Sequence, residues 1–357
     1  MNQVPFALVP ACGCGDLVDP AAVRSVLARL IPTWSVFKVS NAVHALRLWG
    51  PDAVFDGERH PSPFGKRIFT GRELLGLFLD HRQYRRLVRS GASLMRATDH
   101  GVVVTAGSAR VNMEGDLIHV DKLLRTCADV NVLPSTFIRT IDAEATVADL
   151  VRGSVATFDA SQELEWTVEA LARYIAPVRG WVNRFGERFT FDDAVAVLTG
   201  RTLGRGACLG THVPYVLCVL LPVDAVTSIL KPRFHAAAID YLRGIRRRLL
   251  DHRRENGRWG GDWAPAGEEE VRIVGRDADE PARVTVTAHH LEWAAIAPPV
   301  ARLPDELIRH ASGYLVEFMR RLDDAEVNDY YPVLTHAARA LCHFAGIDPL
   351  DGFKLLL

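Results

Sequence analysis

Charge of one sign is what the sequence most lacks. It has 42 Lys and Arg against 43 Asp and Glu, for a net charge of −1 at pH 7. No global field draws such a chain to nucleic acid or to an anionic membrane surface. A long hydrophobic run is also missing. The longest apolar stretch, "VPYVLCVLLPV" from Val213 to Val223, falls well short of the roughly 20 residues that cross a bilayer as a helix. The start, "MNQVPFALVPACG", has an apolar patch but no basic residues before it, so it does not read as a signal peptide. These absences lead to the expectation of a cytoplasmic protein with no transmembrane segment and no nucleic-acid partner. Cysteine is sparse, with six residues and no C-x-x-C pair; the N-terminal "ACGCG" has the wrong spacing for a redox or zinc motif.

What is present is an ordinary globular mixture, 48% hydrophobic and 24% charged over 357 residues. A chain of that length buries a large core without disulfides or a structural metal. Basic residues gather in "YLRGIRRRLLDHRREN", where they alternate with apolar residues at helical spacing. That pattern predicts the solvated face of a helix. Cys127 and Cys218 lie in apolar helical runs and read as small core residues.

Six segments share a beginning: "SNAVHALRLWG", "IHVDKLLRTCADV", "QELEWTVEALARYI", "THVPYVLCVLL", "HHLEWAAIAP" and "THAARALCHFAG". Each has a polar residue at or next to its start and then turns apolar nearly all round, as suits a helix buried on most faces. Aligning them puts Asn41, His119, Glu163, His212, His290 and His336 in one column, at intervals of 44–49 with two of 78. Before each segment lies a more charged, amphipathic helical pattern, from "DPAAVRSVLARLI" to "LPDELIRHASGYLVEFMRRL". Several carry start signals, among them Asp19 with Pro20, Thr190 with Asp192 and Asp193, and the T-x-x-E of Thr70 and Glu73. Self-similarity at such a period marks a repeat architecture. Six amphipathic–apolar pairs predict one all-α domain over 1–357, an (α/α)6 toroid of six outer and six inner helices. The two long intervals hold β-branched runs, "GVVVTAGSARVNM" and "EVRIVGRDADEPARVTVTA". They predict β-hairpin insertions near 100–114 and 270–288.

"ENGRWGGDW", from Glu255 to Trp263, resembles the DG-x-W-G signature that closes an outer helix in the terpenoid cyclase / protein prenyltransferase toroids, and "GRGACLGTHVPYVLCVLL" resembles one of their inner helices. The resemblance runs from about Thr146 to the C-terminus and implies the toroid fold. The chain has no D-x-D-D of the squalene-cyclase kind, and its Asp, Cys and His do not follow the prenyltransferase zinc spacing. "HHLEW" is similar to sugar epimerases of the N-acylglucosamine type. "ACLGTH" with "LCHFAG" is similar to the zinc-binding cysteines and histidine of lanthionine cyclases.

Parallel inner helices would gather their positive N-termini at one end of a ring, favouring an oxygen-rich ligand and holding histidines neutral. The expected catalytic residues are therefore His212, His290, Glu292 and His336, followed by Glu165 and His119. Trp166 and Trp293 stand beside Glu165 and Glu292 as stacking surfaces, a frequent sugar-binding combination. Tyr215, Glu163 and Asp262 complete the candidate ligand contacts. The expected activity is isomerase-, lyase- or cyclase-type acid–base chemistry on a small oxygenated or isoprenoid substrate. An alternative is a non-catalytic toroid that binds a peptide, lipid or protein partner, with the polar column serving only as helix caps. A further alternative is a zinc-dependent cyclase or transferase, whose ligands would be Cys208, His212, Cys342 and His343. No other cofactor is implied.

Overall fold

The computed structural model describes residues 16–32, 39–56, 68–87, 93–105, 119–204, 208–264 and 280–354. These are mostly helical. In chain order the elements are α1 (Pro20–Leu27), α2 (Val39–Trp49), β1 (Val54–Asp56), β2 (Ile68–Thr70), α3 (Gly71–Leu79), α4 (His81–Leu87), β3 (Met95–Thr98) and β4 (Gly101–Val104). Then follow α5 (Lys122–Asp129), β5 (Phe137–Arg139), β6 (Glu144–Thr146), α6 (Val147–Thr157), α7 (Glu165–Ile175), β7 (Gly180–Val182), β8 (Arg188–Thr190) and α8 (Phe191–Gly200). The chain continues through α9 (His212–Thr227), α10 (Pro232–Asp251), α11 (Glu280–Ala295), α12 (Asp305–Arg321), α13 (Asp324–Ala345) and α14 (Pro349–Lys354).

Every amphipathic–apolar pair of the sequence forms two helices except the second, whose amphipathic stretch is divided into α3 and α4. The first helix buries a stripe: α10 buries Ala238, Leu242, Ile245 and Leu249 and leaves most of its arginines toward water. The second is buried nearly all round. In α7 every position from Glu165 to Tyr174 is buried, and in α11 every position from Val286 to Ala295 is. Each buried Leu or Val contributes about 1.5–3 kcal/mol, and these apolar helices carry a large share of the core.

Contacts cluster into two compact units. The first contains residues 31–194 and 223–230; the second contains the segment ending at Leu30 with residues 195–222 and 231–357. The boundaries fall within α8 and α9.

In the first unit, α2, α5 and α7 are each followed by a short antiparallel hairpin, β1–β2, β5–β6 and β7–β8. Each hairpin ends on a threonine that starts the next helix. Glu73 accepts from the Thr70 backbone N–H at 2.9 Å, Asp149 from that of Thr146 at 2.7 Å, and Asp193 from that of Thr190 at 2.9 Å. These reciprocal caps satisfy donors that a helix start leaves unpaired. A fourth hairpin, β3–β4, lies against α6, where a side chain at Gly153 would meet the Val102 carbonyl oxygen at 1.8 Å. Only glycine permits that approach.

The insertions differ from expectation. Gly101–Val104 is a strand, and among the described residues it pairs with Met95–Thr98 before it, in a hairpin at 95–104. Residues 106–118, where the second strand was expected, lie outside the described residues. The strand expected to end the second insertion is absent. Residues 280–288 are the first turns of α11, with Ala282, Val284, Val286, Thr287 and Ala288 buried. Burial on every side overrides the β-branched alternation of "VTVT". Residues 265–279 lie outside the described residues, as do Cys12 and Cys14.

The helix that opens after Thr70 ends at Leu79, because Asp80 turns extended, bridges Arg139 and accepts the Arg82 N–H on its side chain. The acidic residues after Arg321 open the next helix. Asp323 caps α13, and its boxed partner Glu326 accepts the Asp323 N–H at 2.8 Å.

Candidate functional site

In the second unit, α9, α11 and α13 bring three histidines together. The rings of His289 and His336 lie 4.1 Å apart between centroids, those of His212 and His289 4.7 Å, and those of His212 and His336 5.8 Å. All three are buried, as is Glu292. The Nδ1–H of His336 donates to Glu292 Oε2 at 2.5 Å, across from one helix to the next. Arg339 holds the other Glu292 oxygen at 3.5 Å and reaches the Tyr215 hydroxyl at 3.4 Å. The carboxylate so held fixes the orientation of the imidazole that donates to it. With Nδ1 committed to Glu292, a neutral His336 carries its lone pair on Nε2. That is the arrangement of a general base oriented by a carboxylate.

Cys208 joins the cluster from the turn before α9. Its ligand atom and those of His212 and His289 all lie within 4.8 Å of one another. The turn is unusual: Cys208 (φ 51°), Leu209 (φ 58°) and Gly210 (φ 73°) are all left-handed. Non-glycine residues hold that conformation at a cost, which the Thr211 hydroxyl and N–H, both donating to the Cys208 carbonyl, help offset. Sequence reasoning placed His212 and Cys208 correctly as neighbours but missed His289 and Arg339. The available signal for His289 was its place directly before the aligned His290 in "TAHHLEW".

His290 does not join this group. Trp259, Trp263 and Trp293 surround it, with ring centroids 5.5, 4.4 and 6.3 Å away. Trp293 Nε1–H donates to His290 Nδ1 at 3.0 Å. Burial, with His289 adding to it, holds the His290 pKa well below its ordinary value, so the ring is neutral. The expected cause was a helix N-terminus. Instead α11 begins at Glu280 and α13 at Asp324, so His290 and His336 both sit deep within helices. The indole N–H of Trp293 is thus directed at His290. "GRWGGDW" supplies the packing: Trp259 Nε1–H donates to the Leu249 carbonyl, and its backbone N–H donates to Thr287.

Three more expected residues fall elsewhere. Asp262 is half-exposed and pairs with Arg254 at 2.6 Å. Cys342 and His343 lie in the last turns of α13. Among the described residues they are not part of the Cys208 group. Burial raises the Cys342 thiol and lowers the His343 imidazole.

The first unit holds a second His–Glu pair. His119 Nδ1 lies 2.8 Å from Glu163 Oε2, and its ring packs on Trp166 at 5.3 Å. Arg125 and Lys122 sit over the same indole, 5.1 and 5.9 Å from its centroid. Glu165 is buried in the first turn of α7. Beside His119 is a cavity of about 380 Å³ lined by Arg96, His100, Asp121, Ser154 and Arg184 among others. Asp121, in a left-handed conformation, accepts 2.6 Å hydrogen bonds from Ser154 and Thr167, and burial raises its pKa. Behind lies a buried ionic network that sequence reasoning missed. Asp129 binds Arg47 at 2.8 Å, Arg125 at 3.2 Å and Arg173 at 3.0 Å, while Glu169 binds Arg125 at 2.8 Å and Arg173 at 3.4 Å. Burial pushes Glu169 up to about 7 against the pull of the arginines.

Compared with protein-family models, curated proteins and solved structures, the chain matches none.

Proposed function

We propose that the chain is an enzyme of acid–base type, with the His336–Glu292 pair as its base and Arg339 and Tyr215 as polar contacts for an oxygenated or isoprenoid substrate. The observation that carries this reading is the 2.5 Å hydrogen bond between His336 and Glu292 in a buried setting, with two more imidazoles against it. His44 Nδ1 and His289 Nδ1 turn back to carbonyls of their own helices, 3.0 Å from Ser40 and 2.7 Å from Thr285. His336 and His119 instead reach a glutamate 44 residues away. Isomerase, lyase and cyclase chemistry all need such a base.

The toroid belongs to the same proposal. Its support is the alternation of half-buried and fully buried helices, and the constant offset between α5 and α7. His119 meets Glu163, Arg125 meets Glu169 and Asp129 meets Arg173, each 44 residues on. A constant offset, rather than a constant sum, means the two buried helices run in the same direction. The likeness of "ENGRWGGDW" to terpenoid cyclase and prenyltransferase toroids points the same way.

Native mass spectrometry of the full chain as purified tests the function. A small oxygenated or isoprenoid ligand retained by the wild type, and lost from His336→Gln and Glu292→Gln, is the expected result. Both variants retaining the ligand, or the wild type carrying none while they differ only in stability, would overturn it.

A further inference from the structure

The Cys208, His212 and His289 cluster carries an inference that does not depend on the acid–base reading. We propose that these three side chains bind one divalent zinc ion, leaving its fourth position open beside His336.

The ligand chemistry comes first. A thiolate and two imidazoles form a set that zinc prefers, and magnesium and calcium do not. A tetrahedral ion with bonds of about 2.0–2.3 Å holds its ligand atoms about 3.3–3.8 Å apart. The three ligand atoms here already lie within 4.8 Å of one another, so small side-chain rotations close the site.

Orientation comes second. His289 Nδ1 lies 2.7 Å from the Thr285 carbonyl oxygen. A carbonyl only accepts, so Nδ1 carries the proton and Nε2 carries the lone pair. Metal-binding histidines are characteristically fixed in this way by a backbone carbonyl or carboxylate behind the ring. Cys208 and His212 are spaced i, i+4 across the left-handed turn into α9, and that turn presents the cysteine to the first residue of the helix. Cys208 is half-buried while both histidines are buried.

The number of ligands comes third. Structural zinc sites are closed by four protein ligands; three with an open position is the catalytic pattern. His336, whose Nδ1 is committed to Glu292, has its ring 4.1 Å from that of His289 and 5.8 Å from that of His212, against the proposed site. An ion there supplies Lewis-acid polarisation of a bound oxygen.

The test uses the full chain loaded with zinc or cobalt(II) and dialysed. The wild type should retain one ion per chain. Its cobalt form should show a thiolate-to-cobalt charge-transfer band and the intense visible bands of tetrahedral cobalt. Cys208→Ser should lose the charge-transfer band, and His212→Gln and His289→Gln should lose stoichiometric binding. Cys342→Ser and His343→Gln should bind as the wild type does. His336→Gln should keep the metal, which separates this inference from the acid–base proposal. A folded wild type, judged by circular dichroism, that retains no ion or shows no thiolate band overturns the inference. So does a Cys208→Ser protein with the band unchanged. The wild-type spectrum decides the matter even where a variant fails to fold.

Discussion

His290 shows at the residue scale how one histidine of the aligned column differs from another. It and His336 are both buried, yet one is enclosed by indoles and the other is hydrogen-bonded to a carboxylate. The His290 pKa is lowered in the folded protein, so below about pH 6.5 the unfolded chain binds a proton that the folded chain refuses. Its contribution to stability is therefore complete above the unfolded pKa and is lost as pH falls below it. One such proton sets a slope of at most about 1.4 kcal/mol per pH unit. Urea titrations of wild type and His290→Gln between pH 7 and 5 should show stability falling less steeply in the variant. Equal slopes would mean that His290 does not titrate this way. His290→Ala removes the ring between the tryptophans and leaves the Trp293 N–H without its acceptor, at a cost of roughly 2–4 kcal/mol. In the first unit, Arg125→Met leaves Glu169 and Asp129 with fewer counterions in a setting where their side chains are 2% exposed. Breaking a buried ionic network by removing one partner costs about 3–5 kcal/mol. Denaturation midpoints of that variant should fall accordingly, and a change below about 1 kcal/mol would show the network to be nearly neutral.

The helix starts of the first unit belong to the element scale. Thr70, Thr146 and Thr190 each close a hairpin and open a helix in one step, with an acid three residues on. Thr→Ala at any one of them should cost about 1 kcal/mol in urea unfolding, the loss of a side-chain cap. Gly153→Ala should cost more, about 1–3 kcal/mol, because its methyl group meets the Val102 carbonyl and pushes β3–β4 off α6. A Gly153→Ala protein as stable as wild type would mean that the hairpin does not pack there. These elements also separate what was legible in the sequence from what was not. Apolar periodicity and the caps at Asp19, Thr70 and Thr190 gave the helix pairs, because those signals are local. The three-residue strands between α2 and α3, α5 and α6, and α7 and α8 were not legible, being too short to establish a period of two. "VTVT" read as a strand because alternation cannot reveal that both sides are buried. The partnership of Glu292 with His336 needed the register between two helices. The alignment put His290 opposite His336, at 46 residues, whereas the contacts run at 44.

Across the whole molecule, that 44-residue register recurs in each unit. It links His119 to Glu163 in the first and Glu292 to His336 in the second, with the order of base and acid reversed. The same helix spacing is thus used twice, and among the described residues the second unit sets two further imidazoles and a cysteine together beside its pair. All three proposed zinc ligands lie in that unit, on the turn before α9, at the start of α9 and in α11. An ion that binds the folded ligands and not the unfolded chain stabilises by mass action, about 2.7 kcal/mol at a free concentration 100 times Kd. Amides that exchange only when the ligands separate should therefore exchange about 100-fold more slowly under that condition. Hydrogen exchange read by mass spectrometry should show this slowing in peptides from α9 and α11. Amides of α5 and α7, which belong to the first unit and carry none of the ligands, should exchange at zinc-independent rates. Slowing of equal size in α5 and α7 would show that the two units open as one. No slowing in α9 and α11 would show that zinc is not held by Cys208, His212 and His289.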